Sequence, residues 1–116
     1  MKKNPGDLAR LQHIIRCISD LEQILNGVDE DSFYRNSEKK YAVERVLEII
    51  GEAVNKISPE TLAKSHHGIP WRDVVDFRNL VTHEYFRVDY TMVYKLSTEE
   101  VPGIKSAVQF LIEELQ

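Results

Sequence analysis

Cysteine is almost missing from this 116-residue chain. Cys17 stands alone, so no internal disulfide can form and a cysteine-built metal cluster is excluded. A reducing compartment suits a lone thiol. The 5 glycines and 4 prolines are scattered as punctuation, which excludes a repetitive or linker-like chain. No apolar run approaches the roughly 18 residues of a membrane span. Nothing apolar enough for a leader follows Lys2-Lys3. A basic excess is also lacking: 15 Lys and Arg stand against 19 Asp and Glu, for a net charge of −4. That balance argues against a general nucleic-acid coat but is compatible with a small basic site on an acidic surface. With 42% apolar and 29% charged residues, the expectation is one globular, cytoplasmic domain spanning residues 1–116, with no membrane association.

What the chain does contain is helical periodicity. Leu8, Leu11, Ile14, Ile15, Ile18, Leu21, Ile24 and Leu25 recur in steps of three and four. This predicts an amphipathic helix over 7–26, with Asp7 as N-cap and Asn26-Gly27 as the stop. Residues 29–36 are mixed, with Phe33 and Tyr34 among polar neighbours on a short helical turn. A second long helix follows from Ser37 to Ile57. Gly51 inside it costs about 1 kcal/mol relative to Ala, a cost that close approach of a neighbouring helix would justify. Ser58-Pro59 opens a short helix over 59–66, with Pro at the first helical position. A further helix is expected from Trp71 to about Thr82. The final helix starts at Asp89 and is kinked or restarted near Pro102, which lacks the N–H. No segment alternates like a strand. The expected architecture is an all-α, up-and-down bundle of four to five helices, with the long ones mostly antiparallel.

Chemistry concentrates in Arg78-Asn79-Leu80-Val81-Thr82-His83-Glu84-Tyr85. Asn79 and His83, four apart, share a helix face. Arg78 and Tyr85, seven apart, align if the helix runs that far. Arg78 and His83 are roughly 140° apart around an ideal helix. They converge only if the helix ends or distorts near Thr82, or if a second subunit completes the site. Taken as isolated residues, these side chains would equally serve as a helix C-cap and as surface ion pairs of Arg78 with Asp73, Asp76 or Glu84.

In the form RNLVTHEY, this Arg-x4-His-x-Tyr pattern resembles the motif of HEPN domains of the HepT type. Two flanking segments extend the resemblance: Tyr41-Ala42-Val43-Glu44-Arg45 through Ile50-Gly51-Glu52-Ala53, and Ile69-Pro70-Trp71. Val101-Pro102 stands where that family usually has Leu-Pro. The resemblance covers about residues 8–115. It implies a HEPN-like all-α toxin of a prokaryotic toxin–antitoxin pair. Such a toxin is a metal-independent endoribonuclease, needs no cofactor, and works as a homodimer with the two motifs facing a shared cleft. RNA brings its own nucleophile, the 2′-hydroxyl. His83 would be the general acid or base, since an ordinary imidazole titrates near ~6.5. Arg78 would hold the scissile phosphate. Asn79 would support them by fixing the imidazole or touching phosphate. The resemblance also assigns Tyr85 as the acceptor of AMP from a partner nucleotidyltransferase of the MntA type, which would silence the toxin by adding bulk and negative charge.

The remaining polar features have simpler readings. His66-His67 lacks metal-ligand spacing and reads as a solvated loop. Cys17 reads as a part-buried, inert thiol. Arg35, Lys39, Lys40 and Arg45 could attract RNA, but the neighbouring Glu38, Glu44 and Glu48 make a solvated mixed face the simpler expectation. Trp71 reads as core or dimer interface. The competing function is a non-catalytic helical dimer that binds a nucleotidyltransferase or a nucleotide.

Overall fold

The computed structural model describes residues 6–116. The Lys2-Lys3 stretch, read above as no leader, lies outside these. Every regular element among the described residues is helical: α1 (Asp7–Leu25), α2 (Glu30–Tyr34), α3 (Ser37–Lys56), α4 (Pro59–Leu62), α5 (Trp71–Glu84), α6 (Tyr90–Lys95) and α7 (Val101–Leu115). A five-residue π-helical stretch, Leu96–Glu100, joins α6 to α7 into one run. The all-α bundle expected from the periodicity is the observed fold, with four long units and two short helices.

Helix α3 is central. It packs against α1 on one side and α5 on the other, and α7 packs against α1. Neighbours run antiparallel, as cross-contacts at matching ends require: Asp7 meets Ser58, and Glu22 meets Lys105. Leu11, Ile14, Ile18 and Leu21 of α1 are sealed from solvent with Leu47, Ile50 and Val54 of α3 and Ile104, Val108 and Leu111 of α7. Each such side chain contributes about 1.5–3 kcal/mol on burial. Phe33 on the short α2 is also fully buried, its ring 5.3 Å from that of Tyr94. In α5 the buried positions are Val74 and Phe77, which leaves Arg78 at the edge of the core stripe.

Three local expectations are corrected. Asp7 does not cap α1: Gly6 is the N-cap and Asp7 the first helical residue. The Asp7 carboxylate instead accepts bonds from the backbone N–H of Ser58 (3.2 Å) and the hydroxyls of Ser58 and Thr61 (both 2.6 Å). It thereby fastens the start of α1 to the start of α4. Burial pushes this carboxyl's pKa up, but those hydrogen bonds outweigh it and hold the group below its ordinary value. Second, the helix expected over 59–66 stops at Leu62, where the Ser65 hydroxyl bonds the Leu62 carbonyl at 2.6 Å. Third, α5 runs past Thr82 to Glu84.

The break expected at Pro102 takes the form of the π stretch just ahead of it. A proline cannot donate to the preceding turn, and a widened turn absorbs the mismatch. Two hydroxyls bond back one turn along this run: Ser97 Oγ to the Val93 carbonyl and Thr98 Oγ1 to the Tyr94 carbonyl, both at 2.8 Å. At the same end of the bundle, Gly27 adopts φ 72°, the left-handed conformation that terminates α1 after Asn26.

Candidate active site

Helix α5 carries the candidate residues, and α3 supports it from behind. The two helices touch at Gly51. A Cβ there would overlap the Val74 carbonyl oxygen and lie 2.7 Å from Arg78 Cβ. The missing side chain is therefore what lets α5 settle against α3 at the turn that bears Arg78. One residue on, Glu52 Oε1 lies 2.6 Å from Arg78 Nε. The two form a close ion pair, although the N–H is not aimed along the hydrogen-bond direction. Oε1 is consequently buried with no hydrogen bond of its own. Arg78 also donates from Nη1 to Asn79 Oδ1 at 3.0 Å. Its ion-pair partner is thus Glu52, and none of Asp73, Asp76 or Glu84.

Arg45, Glu48, Ile49, Glu52, Arg78 and Thr82 line a pocket of about 250 Å³ between α3 and α5. His83 and Tyr85 are not part of it. His83 is exposed and makes no hydrogen bond, ion pair or ring contact among the described residues. Asn79, on the same face, is exposed and engaged with Arg78. The backbone leaves helical geometry only at Glu84 (φ −145°, ψ 53°), and a 3-10 turn, Tyr85–Arg87, follows. Helix α5 is thus unbroken between Arg78 and His83, and one copy keeps them on different sides of it. The break also takes Tyr85 out of helical register with Arg78. Tyr85 and Phe86 are 74% and 75% exposed, their rings 6.1 Å apart and nearly perpendicular.

Tyr85 also differs from most other tyrosines in leaving its hydroxyl open. The hydroxyls of Tyr34, Tyr90 and Tyr94 donate to Glu30, Glu44 and the Val28 carbonyl. Burial and the Glu44 carboxylate push the Tyr90 phenol well up. Only Tyr41 and Tyr85 lack such a partner among the described residues.

The other cations near the motif are engaged. Arg45 pairs with Glu48 at 3.1 Å and Arg35 with Asp31 at 3.1 Å. Lys39 Nζ donates to the Ile24 carbonyl, and Lys40 sits over the Tyr90 ring. The mixed, solvated face expected there is the arrangement found. Trp71 is half-buried against the core, its Nε1 donating to Ser65 Oγ at 3.2 Å. His66 lies against the Phe110 ring. Cys17 is buried rather than part-buried, and burial pushes its thiol pKa up. No helix among the described residues is long and apolar enough to cross a membrane.

The opposite flank of α5 is acidic. Asp73, Asp76 and Glu100 rim a pocket of about 450 Å³ floored by Phe77, Leu80, Met92 and Leu96. A hydrogen bond with Asp73, then burial and the charges of Asp73 and Glu99, push Glu100 up to about 7 against the opposing pull of Lys95. The folded state therefore holds this proton more tightly than the unfolded chain, whose ordinary value is 4.5. Its stabilising contribution is full below pH 4.5 and is lost as pH rises through about 7. Solvent screening keeps it below about 1 kcal/mol. Melting temperature should decline by a few degrees between pH 5 and pH 8, and Glu100→Gln should flatten that decline.

Comparison with known proteins adds the family. A model described as "Ribonuclease HepT-like" matches residues 14–111. A "putative RNase" of Methanocaldococcus jannaschii is 36% identical over 103 residues, covering 89% of this chain and 94% of its own. The chain belongs to the HepT-like family. A second "putative RNase" of the same organism is 35% identical over 108 residues, covering 93% of this chain and 92% of its own. A "probable ribonuclease HepT" of Thermococcus cleftensis is 32% identical over 111 residues, covering 96% and 98%. No solved structure matches the chain.

Within this HepT-like chain, sequence reasoning picked out Arg78, Asn79, His83 and Tyr85 but not Glu52. The available signal was Glu52 beside Gly51 in the segment that carried part of the resemblance. Consecutive helical residues point about 100° apart, so that position by itself does not aim the carboxylate at Arg78.

Proposed function

We propose that this chain is a metal-independent endoribonuclease that acts as a homodimer, and that it is the toxin of a toxin–antitoxin pair. The observation that carries the dimeric reading is the continuity of α5 through His83. One copy holds Arg78 and His83 roughly 140° apart on an unbroken helix. A second copy facing the first can supply the missing partner, and the exposed Phe86 ring gives that contact apolar area.

In this reading the RNA 2′-hydroxyl attacks the adjacent phosphorus while one His83 imidazole takes its proton. The 5′-oxygen then leaves with the proton that this imidazole has taken up, so one His83 serves each cut. The product is a 2′,3′-cyclic phosphate and a free 5′-hydroxyl. Arg78, held by Glu52 and Asn79, neutralises charge building on the phosphate oxygens. DNA, lacking the 2′-hydroxyl, is not cut by this route. The test is cleavage of RNA by the purified protein in EDTA, after expression in a host lacking any partner nucleotidyltransferase. Failure to cut any of several RNA classes, with Tyr85 shown unmodified by mass, would overturn the reading.

The partner nucleotidyltransferase is proposed to act on Tyr85, whose hydroxyl is open where three other tyrosines are engaged. Co-expression should add mass in multiples of AMP, and Tyr85→Phe should abolish the addition. Tyr41, the other open tyrosine, is the internal control: modification that survives Tyr85→Phe would reassign the acceptor. A second reading, a non-catalytic dimer that binds the nucleotidyltransferase or a nucleotide, draws on the pairing of Arg45, Arg78 and Arg87 with carboxylates. It predicts partner binding without cleavage.

A further inference from the structure

We infer that Glu52 is a positioning residue for Arg78, holding its guanidinium in the orientation that meets the scissile phosphate. This inference rests on the reading of Arg78 as the phosphate-binding group. Three observations support it. Glu52 Oε1 is buried against Arg78 Nε at 2.6 Å and has no hydrogen-bond partner. If Arg78 swung away, a buried carboxylate oxygen would lose the charge that offsets its burial. The tether is therefore maintained without RNA. Next, Nη1 is fixed by Asn79 at 3.0 Å, so the guanidinium plane is held at two of its three nitrogens. Finally, Gly51 brings the α3 backbone against Arg78 Cβ, so the base of the side chain is fixed by the same turn that presents the carboxylate.

Glu52 also has an opposing effect. Its negative charge sits beside the place where an RNA phosphate would bind, and this weakens ground-state attraction. Lys56, 3.5 Å from the other carboxylate oxygen, offsets part of that charge. Removing the charge at constant shape should therefore separate the two effects. Binding is preserved or improved while turnover falls, because a misoriented guanidinium loses its grip on the transition state.

The experiment is steady-state RNA cleavage by wild type, Glu52→Gln, Glu52→Asp and Arg78→Ala, each checked for an unchanged melting curve. Glu52→Gln should lower kcat about tenfold with KM unchanged or lower, a loss within what misplacement of a catalytic group produces. Glu52→Asp keeps the charge and should recover part of the loss. Unchanged kcat in Glu52→Gln, or a raised KM, overturns the inference. Arg78→Ala separates the two levels: wild-type cleavage by that variant sinks the proposed mechanism itself. A readout independent of activity is the Arg78 Nε–H resonance in ¹⁵N spectra, assigned by its disappearance in Arg78→Lys. It should move toward the free-arginine position in Glu52→Gln, and an unmoved resonance also overturns the inference.

Discussion

His83→Ala should abolish RNA cleavage while leaving the protein as stable as wild type. The two halves of this expectation have separate causes. His83 is exposed and touches no partner among the described residues, so its removal opens no cavity and strands no polar group. Surface substitutions of that kind fall within about 0.5 kcal/mol of neutral. General acid–base catalysis by a positioned side chain is worth about 10²–10⁴ in rate, and that is the loss to look for in single-turnover cleavage. A variant that loses activity together with its melting transition would mean that His83 is structural.

The same residue gives a test of the two-copy site. Arg78→Ala and His83→Ala, each inactive alone, should regain cleavage when mixed and allowed to exchange subunits. Recovery should reach roughly a quarter of wild type, since about half of exchanged dimers are mixed and each holds one intact Arg78–His83 combination. No recovery, with exchange verified by mass, would place both residues in a site built by one chain.

Gly51→Ala is the largest stability effect expected, and its sign discriminates between two principles. Helix propensity alone says that Ala in place of Gly at mid-helix stabilises by about 1 kcal/mol. Packing says the reverse. The added methyl would overlap the Val74 carbonyl oxygen and press on Arg78 Cβ. The Val74 carbonyl is backbone inside α5 and cannot rotate away, so α3 and α5 must separate. Overpacking of this kind costs about 1–3 kcal/mol, occasionally more, and here it should exceed the propensity gain. With the overpacking at about 3 kcal/mol, because the obstacle is backbone, the net loss is about 2 kcal/mol and lowers the melting temperature by roughly 8 °C in a domain of 116 residues. Cleavage should fall beyond what stability explains, because the contact that moves is the one that seats Arg78. A variant more stable than wild type would mean that the helices close less tightly than described.

The fold was legible because its signals are local. A stripe of apolar residues every three or four positions defines a helix wherever the neighbours are, and α1, α3 and α5 begin and end within two residues of their expected bounds. The breakers were legible too. Asn26-Gly27 and Ser58-Pro59 act through their own backbone preferences, and both do what their chemistry predicts. Asp7 was misread because its side chain had an alternative 51 residues away. A local capping rule cannot see a Ser58 hydroxyl delivered by an antiparallel neighbour. The π stretch before Pro102 was legible as a discontinuity but not in form, since a proline signals only that the helical hydrogen-bond ladder is interrupted.

The candidate site divides the same way. Residue type and spacing along one chain determined the all-α class and the expectation of a neighbour at Gly51. Arg78, Asn79, His83 and Tyr85 were grouped by the resemblance to HepT-type domains, and their roles are proposals. Only the tertiary structure decided that α5 continues through His83, that the guanidinium of Arg78 is held by Glu52, and that Tyr85 stands open while Tyr90 is engaged. These are relations between helices distant in sequence. They depend on the antiparallel register of α3 against α5, which side-chain packing sets across the interface and no single helix encodes.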